Sequence, residues 1–238
     1  MKILALDSTA DVASVSVCDG EKPLAVYTVR NGNTHSQTLL PMIEAALSHS
    51  GLSVSDIELF AASEGPGSFT GVRIGAATLK GLAFDRALPC VGVSTLEALA
   101  YNMIGFNGII CPVMNARRAQ VYNALFRCDG ERIVRLTEDR AIAISELEDE
   151  LLKYGDEKIY LCGDGYDVTE SGFGSLSTLP TPELLRHQNA YSVAQCALAA
   201  YNRGEFKNDS EISATYLRLS QAERERLEKC ADKSSPSV

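Results

Sequence analysis

The stretch Gly65-Pro66-Gly67-Ser68-Phe69-Thr70-Gly71-Val72-Arg73-Ile74-Gly75 constrains this chain more than any other. It follows a short apolar run, Leu59 to Ala62, and leads into a helix-like segment reaching about Phe84. Strand, glycine turn and helix form the arrangement in which backbone N–H groups can hold an anion. The spacing is neither a dinucleotide fingerprint nor a Walker loop, since the Gly-Lys-Ser/Thr triplet is missing. A tight strand-to-helix turn explains Pro66 and Gly67 without any ligand, so both readings stand. Gly71, Gly75 and Gly81 then fall inside the helix, each at a cost of about 1 kcal/mol relative to alanine. Such a helix depends on tertiary contacts, either on the chain's own sheet or against a second protein.

At 238 residues and 45% hydrophobic content, the chain can bury one large core or two smaller lobes. No apolar run reaches the ~20 residues that a bilayer requires, so no membrane association is expected. Asp7 interrupts the N-terminal apolar run where a signal peptide would continue, which leads us to expect a mature, cytoplasmic chain. Seven cysteines without CxxC pairs fit reduced thiols and argue against a structural zinc site. The net charge is −9 and the isoelectric point about 4.9. A stand-alone nucleic-acid binder would carry a basic patch. Here the only local basic groupings are Arg117-Arg118 and the mixed tail from Arg218 to Lys229.

Lys2–Leu6, Ala13–Cys18 and Pro23–Val29 read as strands, with a hairpin turn at Asp19-Gly20. Ser36 is expected to cap a helix that Gly51 terminates. Leu39, Leu40, Ile43, Ala46 and Leu47 recur along it at helical spacing. After the glycine loop and its helix comes a strand over Pro89–Val93, and Ser94 caps the helix that follows. Three strands, helix, strand, helix, strand, helix make a mixed-sheet lobe. Beyond it, Ile109–Met114 and Val121–Arg127 are expected to pair around Asn115–Gln120, and Ala190–Arg203 forms an amphipathic helix. We therefore expect a first lobe over 1–104, a smaller second lobe over 105–220, and a charged helix with a disordered tail over 221–238.

The segment Glu64–Gly75 resembles a signature of the TsaB family of bacterial tRNA threonylcarbamoyladenosine biosynthesis proteins. Ala5-Leu6-Asp7-Ser8-Thr9, His35-Ser36 before Leu39-Leu40-Pro41, and Ala116-Arg117-Arg118 before Val121-Tyr122 agree with it. The resemblance is strongest over residues 1–125. It implies an α/β fold of two actin-like, sugar-kinase-like lobes, the second reduced, and a non-catalytic partner for the related transferase TsaD. It also implies a P-loop ATPase, TsaE, as a third component, with tRNA contacted mainly through the partner. Position 115, usually Asp in such proteins, is Asn here.

In actin-like proteins the first hairpin holds phosphate, so the resemblance makes Asp7, Ser8 and Thr9 candidates for a weak phosphate contact. Asp with two hydroxyls is also ordinary turn chemistry. TsaD carries His-x-x-x-His where this chain has Thr95 and Leu99, and neither can replace an imidazole on a metal. We expect no cofactor on this chain alone, with ATP held only in the complex.

The expected partner surface has two helix faces: Leu39, Leu40, Ile43 and Leu47 on one, Gly71, Gly75, Thr78 and Leu82 on the other. It would serve a homodimer when the chain is alone and a heterodimer with a TsaD-like enzyme. Two other functions compete with the scaffold: an active actin-like ATPase or phosphotransferase, and a metallopeptidase, which Thr95 and Leu99 disfavour.

Overall fold

A computed structural model describes residues 1–217. The expected helix and tail over 221–238 lie outside the described residues. The chain is an α/β protein with two mixed-sheet lobes. In the first, strands β1 (Lys2–Asp7), β2 (Ala13–Asp19), β3 (Lys22–Val29), β4 (Leu59–Gly65) and β5 (Cys90–Ser94) lie in the order β3-β2-β1-β4-β5. The hairpin strands pair antiparallel, Leu4 opposite Val17, and β1, β4 and β5 run parallel, Leu4 opposite Phe60. Because β1 is covered on both faces, it reads as a continuous apolar run rather than an alternating one.

Helices α1 (His35–His49) and α2 (Phe69–Ala83) cover one face of this sheet. There Leu4, Leu6, Val15 and Val17 meet Leu39, Ile43, Leu47 and Leu79. The alternate residues Ile3, Ala5, Leu59 and Ala61 point to the other face, as strand periodicity dictates. The helix α1 starts two residues earlier than the Ser36 cap implies: Thr34 is its N-cap residue and makes no side-chain cap bond. Its C-terminal end is as expected, with Gly51 at φ +66° and the Leu52 N–H donating to the Leu47 carbonyl.

The helix α3 (Thr95–Tyr101) leads into the second lobe. This comprises β6 (Asn107–Arg117), β7 (Gln120–Asn123), β8 (Phe126–Asp129), β9 (Ile133–Arg135), β10 (Arg140–Ala143), α4 (Ile144–Leu151), β11 (Ile159–Cys162), α5 (Tyr166–Gly172) and α6 (Glu183–Arg186). Val113 opposite Asn123 and Ile110 opposite Phe126 share one register, so β7 and β8 are one strand interrupted at Ala124-Leu125. The expected pairing of Val121–Arg127 thus holds, with that break. Taken together, β9 and β10, then β7 and β8, then β6, then β11 repeat the order β3-β2-β1-β4 of the first lobe. A fifth strand is absent among the described residues, which makes the second lobe the smaller.

The last helix, α7 (Ala190–Asn202), does not belong to the second lobe. It returns to the open face of the first sheet, where Val193, Ala194 and Ala197 pack on Ile3, Ala5 and Val91. Ser16 donates from its hydroxyl to the Ala190 carbonyl, and the Ala190 N–H donates to Ser14 Oγ. Ile212 then enters the core under α1 and α2. The contiguous second lobe expected over 105–220 is therefore corrected: it ends before α7, and the following residues complete the first lobe.

Candidate functional site

At the end of β1, Asp7, Ser8 and Thr9 are all buried. One Asp7 carboxylate oxygen accepts from the Thr9 N–H at 2.8 Å and from the Thr9 hydroxyl at 2.7 Å, and the other accepts from the Ser63 hydroxyl on β4. Burial raises the pKa of Asp7, against the pull of these donors and of His35. Ser8 donates to the Gly71 carbonyl at 2.8 Å, and the Thr9 carbonyl accepts from the Ser68 N–H at 2.6 Å. His35 Nε2, 2.6 Å from the Ala10 carbonyl, is the donor of that pair, because a carbonyl can only accept.

The loop itself is equally engaged. The Gly71 N–H donates to Ser68 Oγ, and the Val72 N–H to the Ser68 carbonyl. A Cβ on Gly67 would stand 2.4 Å from the Thr9 carbonyl oxygen, and one on Gly71 2.0 Å from that of Ser8. The glycines are required because β1 and the loop touch through backbone. Asp7, Ser8 and Thr9, the residues of the expected phosphate contact, are buried and paired within the chain: the Ser8 side chain fastens the glycine segment at Gly71, and that of Asp7 joins Thr9 and Ser63.

Outside, the loop is covered by the segment after α7. The Thr215 N–H donates to the Glu64 carbonyl at 2.7 Å, Tyr216 stacks on Phe69 with centroids 4.6 Å apart, and Arg73 Nε donates to the Tyr216 hydroxyl. The contact of Tyr216 with Phe69 spans a separation that no sequence periodicity reveals.

Thr95 and Leu99 lie in α3 at 0% and 1% exposure. Leu99 packs with Ile110, Met114, Phe126 and Cys162, so the position of the second histidine is core between the lobes. Ser94 caps α3 as expected, accepting from the Glu97 N–H at 3.2 Å, and its hydroxyl donates to Asp139. Arg135 joins Asp139 to Glu97, at 2.5 and 3.3 Å, and ties the lobes together there.

The expected partner faces divide. Leu39, Ile43 and Leu47 are buried at 1%, 2% and 5% exposure, in contact with this chain's own sheet. Gly71 and Gly75 face inward as well, with Ser8 Oγ and Leu6 Cδ1 at 2.8 and 3.2 Å from a Gly75 Cβ. These five residues are therefore corrected from an outer surface to the inner one. Leu40, 52% exposed, is accessible on α1, and Thr78 and Leu82 are half-buried on α2. The two helices lie side by side.

The second lobe repeats the strand-end construction. A Cβ on Gly163 would stand 2.1 Å from the Val113 carbonyl, and the Gly165 N–H donates to that same carbonyl at 3.0 Å. Between these glycines lies Asp164. Crowding away from bulk water, then the charge of Asp11, raise its pKa to about 6 against the pull of the Asn115 N–H. Arg30 holds Asp11 at 2.7 Å and reaches His187 Nε2 at 3.2 Å. Two residues beyond Val113 on β6, Asn115 Oδ1 accepts from the Arg117 N–H at 2.8 Å. Asparagine serves this turn as well as aspartate would.

Comparison with known proteins agrees with this arrangement. Residues 30–216 match the family model described as TsaD: tRNA N6-adenosine threonylcarbamoyltransferase. The tRNA threonylcarbamoyladenosine biosynthesis protein TsaB of Escherichia coli is 34% identical over 71% of this chain and 73% of its own length. The protein of that name from Bacillus subtilis is 31% identical over 68% of this chain and 71% of its own. Among solved structures, YeaZ from Pseudomonas aeruginosa superposes with a TM-score of 0.78 at 25% identity, covering 91% of this chain and 99% of that one. With the two-lobed fold, the glycine loop and these relatives together, the chain belongs to the TsaB family of tRNA threonylcarbamoyladenosine biosynthesis proteins.

Proposed function

We propose that the chain is a non-catalytic scaffold subunit that pairs with a TsaD-like transferase and supports threonylcarbamoyladenosine formation in tRNA. The engagement of Asp7, Ser8 and Thr9 within the chain carries this reading, since the groups that would meet a phosphate are paired internally instead, Ser8 with Gly71 and Asp7 with Thr9 and Ser63. Leu99 at the second histidine position, packed into the lobe junction, points the same way. The neighbouring helices α1 and α2, with Leu40, Thr78 and Leu82 accessible, suit helix pairing with a similarly folded enzyme, or with a second copy when the chain is alone.

In this reading a TsaE-like P-loop ATPase is the third component, ATP is held in the assembly, and tRNA is reached mainly through the transferase. The cytoplasm suits such chemistry, and the six described cysteines, all free and buried, suit its reducing conditions. Co-purification of the tagged chain from its native cell tests the pairing: a TsaD-like protein should be recovered with it. Its absence, or Asp7-dependent ATP turnover by the purified chain, would contradict the proposal.

A further inference from the structure

The tip of the β6–β7 hairpin carries two arginines that the rest of the chain leaves open. Elsewhere Arg30, Arg127, Arg135, Arg140, Arg186 and Arg203 form ion pairs, Arg73 and Arg86 are held by hydrogen bonds, and Arg132 is a single open guanidinium beside Asp129, to which its backbone N–H donates. The side chains of Arg117 and Arg118 have neither among the described residues, and both residues are exposed. They are adjacent in a chain of net charge −9.

Their backbone is unusual as well. Arg117, Arg118 and Ala119 have φ of +63°, +56° and +56°, three left-handed residues in succession, none of them glycine. Cβ sterics disfavour that path, and it persists where surrounding bonds hold it. Here Asn115 Oδ1 holds one limb through the Arg117 N–H, and the Ile144 N–H holds the other through the Ala119 carbonyl at 3.1 Å. The hairpin is thus pinned on both sides in a shape that presents the two guanidinium groups without occupying them.

We propose that Arg117 and Arg118 contact the phosphate backbone of tRNA when this chain sits in its transferase complex. The inference rests on the scaffold reading above, which brings tRNA to the assembly. A guanidinium is planar, weakly hydrated and able to grip a phosphate through two N–H groups. The acidity of the rest of the chain does not forbid this contact, because repulsion from charges beyond about 8 Å is screened at physiological salt. Two arginines make an auxiliary, sequence-independent contact that adds to whatever the transferase supplies.

The test is tRNA binding by the reconstituted complex of the full chain with its TsaD-like transferase, titrated between about 50 and 200 mM salt. The double variant R117A/R118A should bind more weakly at low salt and lower the slope of log affinity against log salt by about 1.4–1.8. R117K/R118K, which keeps the charges, should retain most of that slope, and both variants should keep the wild-type thermal transition and recovery of the complex. An unchanged slope in an intact complex, or a complex that retains no tRNA, overturns the proposal. Loss of the complex itself in R117A/R118A also overturns it and assigns the tip to an acidic protein surface. If the wild-type chain does not join the transferase, the scaffold reading fails first and this one with it.

Discussion

The Ser8 hydroxyl donates to the Gly71 carbonyl at 2.8 Å, while the Ser8 carbonyl oxygen lies 2.0 Å from where a Gly71 Cβ would stand. Strand β1 and helix α2 therefore meet backbone to backbone. Gly71→Ala should destabilise the chain by about 2–3 kcal/mol, because overpacking outweighs the roughly 1 kcal/mol that alanine adds to a helix. Gly81, with nothing within 4 Å, is the control. Gly81→Ala should stabilise the isolated chain by about 0.5–1 kcal/mol. Urea denaturation measures both.

Asp7 is held by three donors in a buried place. Asp7→Asn turns one acceptor oxygen into a donor facing hydroxyl or amide donors, and should cost about 1–3 kcal/mol. The same variant, where folded, should support tRNA modification at the wild-type rate per folded molecule. A specific loss of activity with unchanged stability would assign Asp7 a chemical role.

Leu40 and Ile43 separate surface from core on one helix, at 52% and 2% exposure. Leu40→Arg should leave thermal unfolding nearly unchanged and abolish recovery of the transferase. Ile43→Ala should lower stability by about 2–5 kcal/mol through the cavity it leaves. A Leu40→Arg chain that still binds would place the partner elsewhere.

Glu148 on α4 accepts from the N–H groups of Gly174, Ser175 and Leu176, which hold its pKa down to about 2. A carboxylate depressed in the folded state stabilises above its ordinary pKa of 4.5 and loses that contribution as pH falls toward 2. The stability difference between wild type and Glu148→Gln should therefore be full at neutral pH and shrink between about pH 4.5 and pH 2. Denaturation curves across that range check the sign.

Local pattern made the strands β1 to β6, the helices of the first lobe and the glycine turn legible, because each rests on spacing and caps within a few residues. What it could not settle was direction. The stripe of Leu39, Ile43 and Leu47 marks the apolar face of α1, but a core and an interface use the same residues. Gly71 and Gly75 permit close approach from either side, and only the position of Ser8 decides which. The return of α7 to the first sheet was hidden for a related reason: an alanine-rich helix carries no address for the surface it covers. The Glu148 contact with Gly174 joins two loops' worth of sequence and left no trace in either.

The most direct measurement is reconstitution of threonylcarbamoyladenosine on tRNA, quantified by mass spectrometry, from purified transferase, P-loop ATPase and this chain. The scaffold account predicts that omitting the chain abolishes the product and that Leu40→Arg does nearly the same while remaining folded. It also predicts that Asp7→Asn, measured per folded molecule, restores the product in full. Full product without the chain, or none with a folded Asp7→Asn chain, would contradict the account.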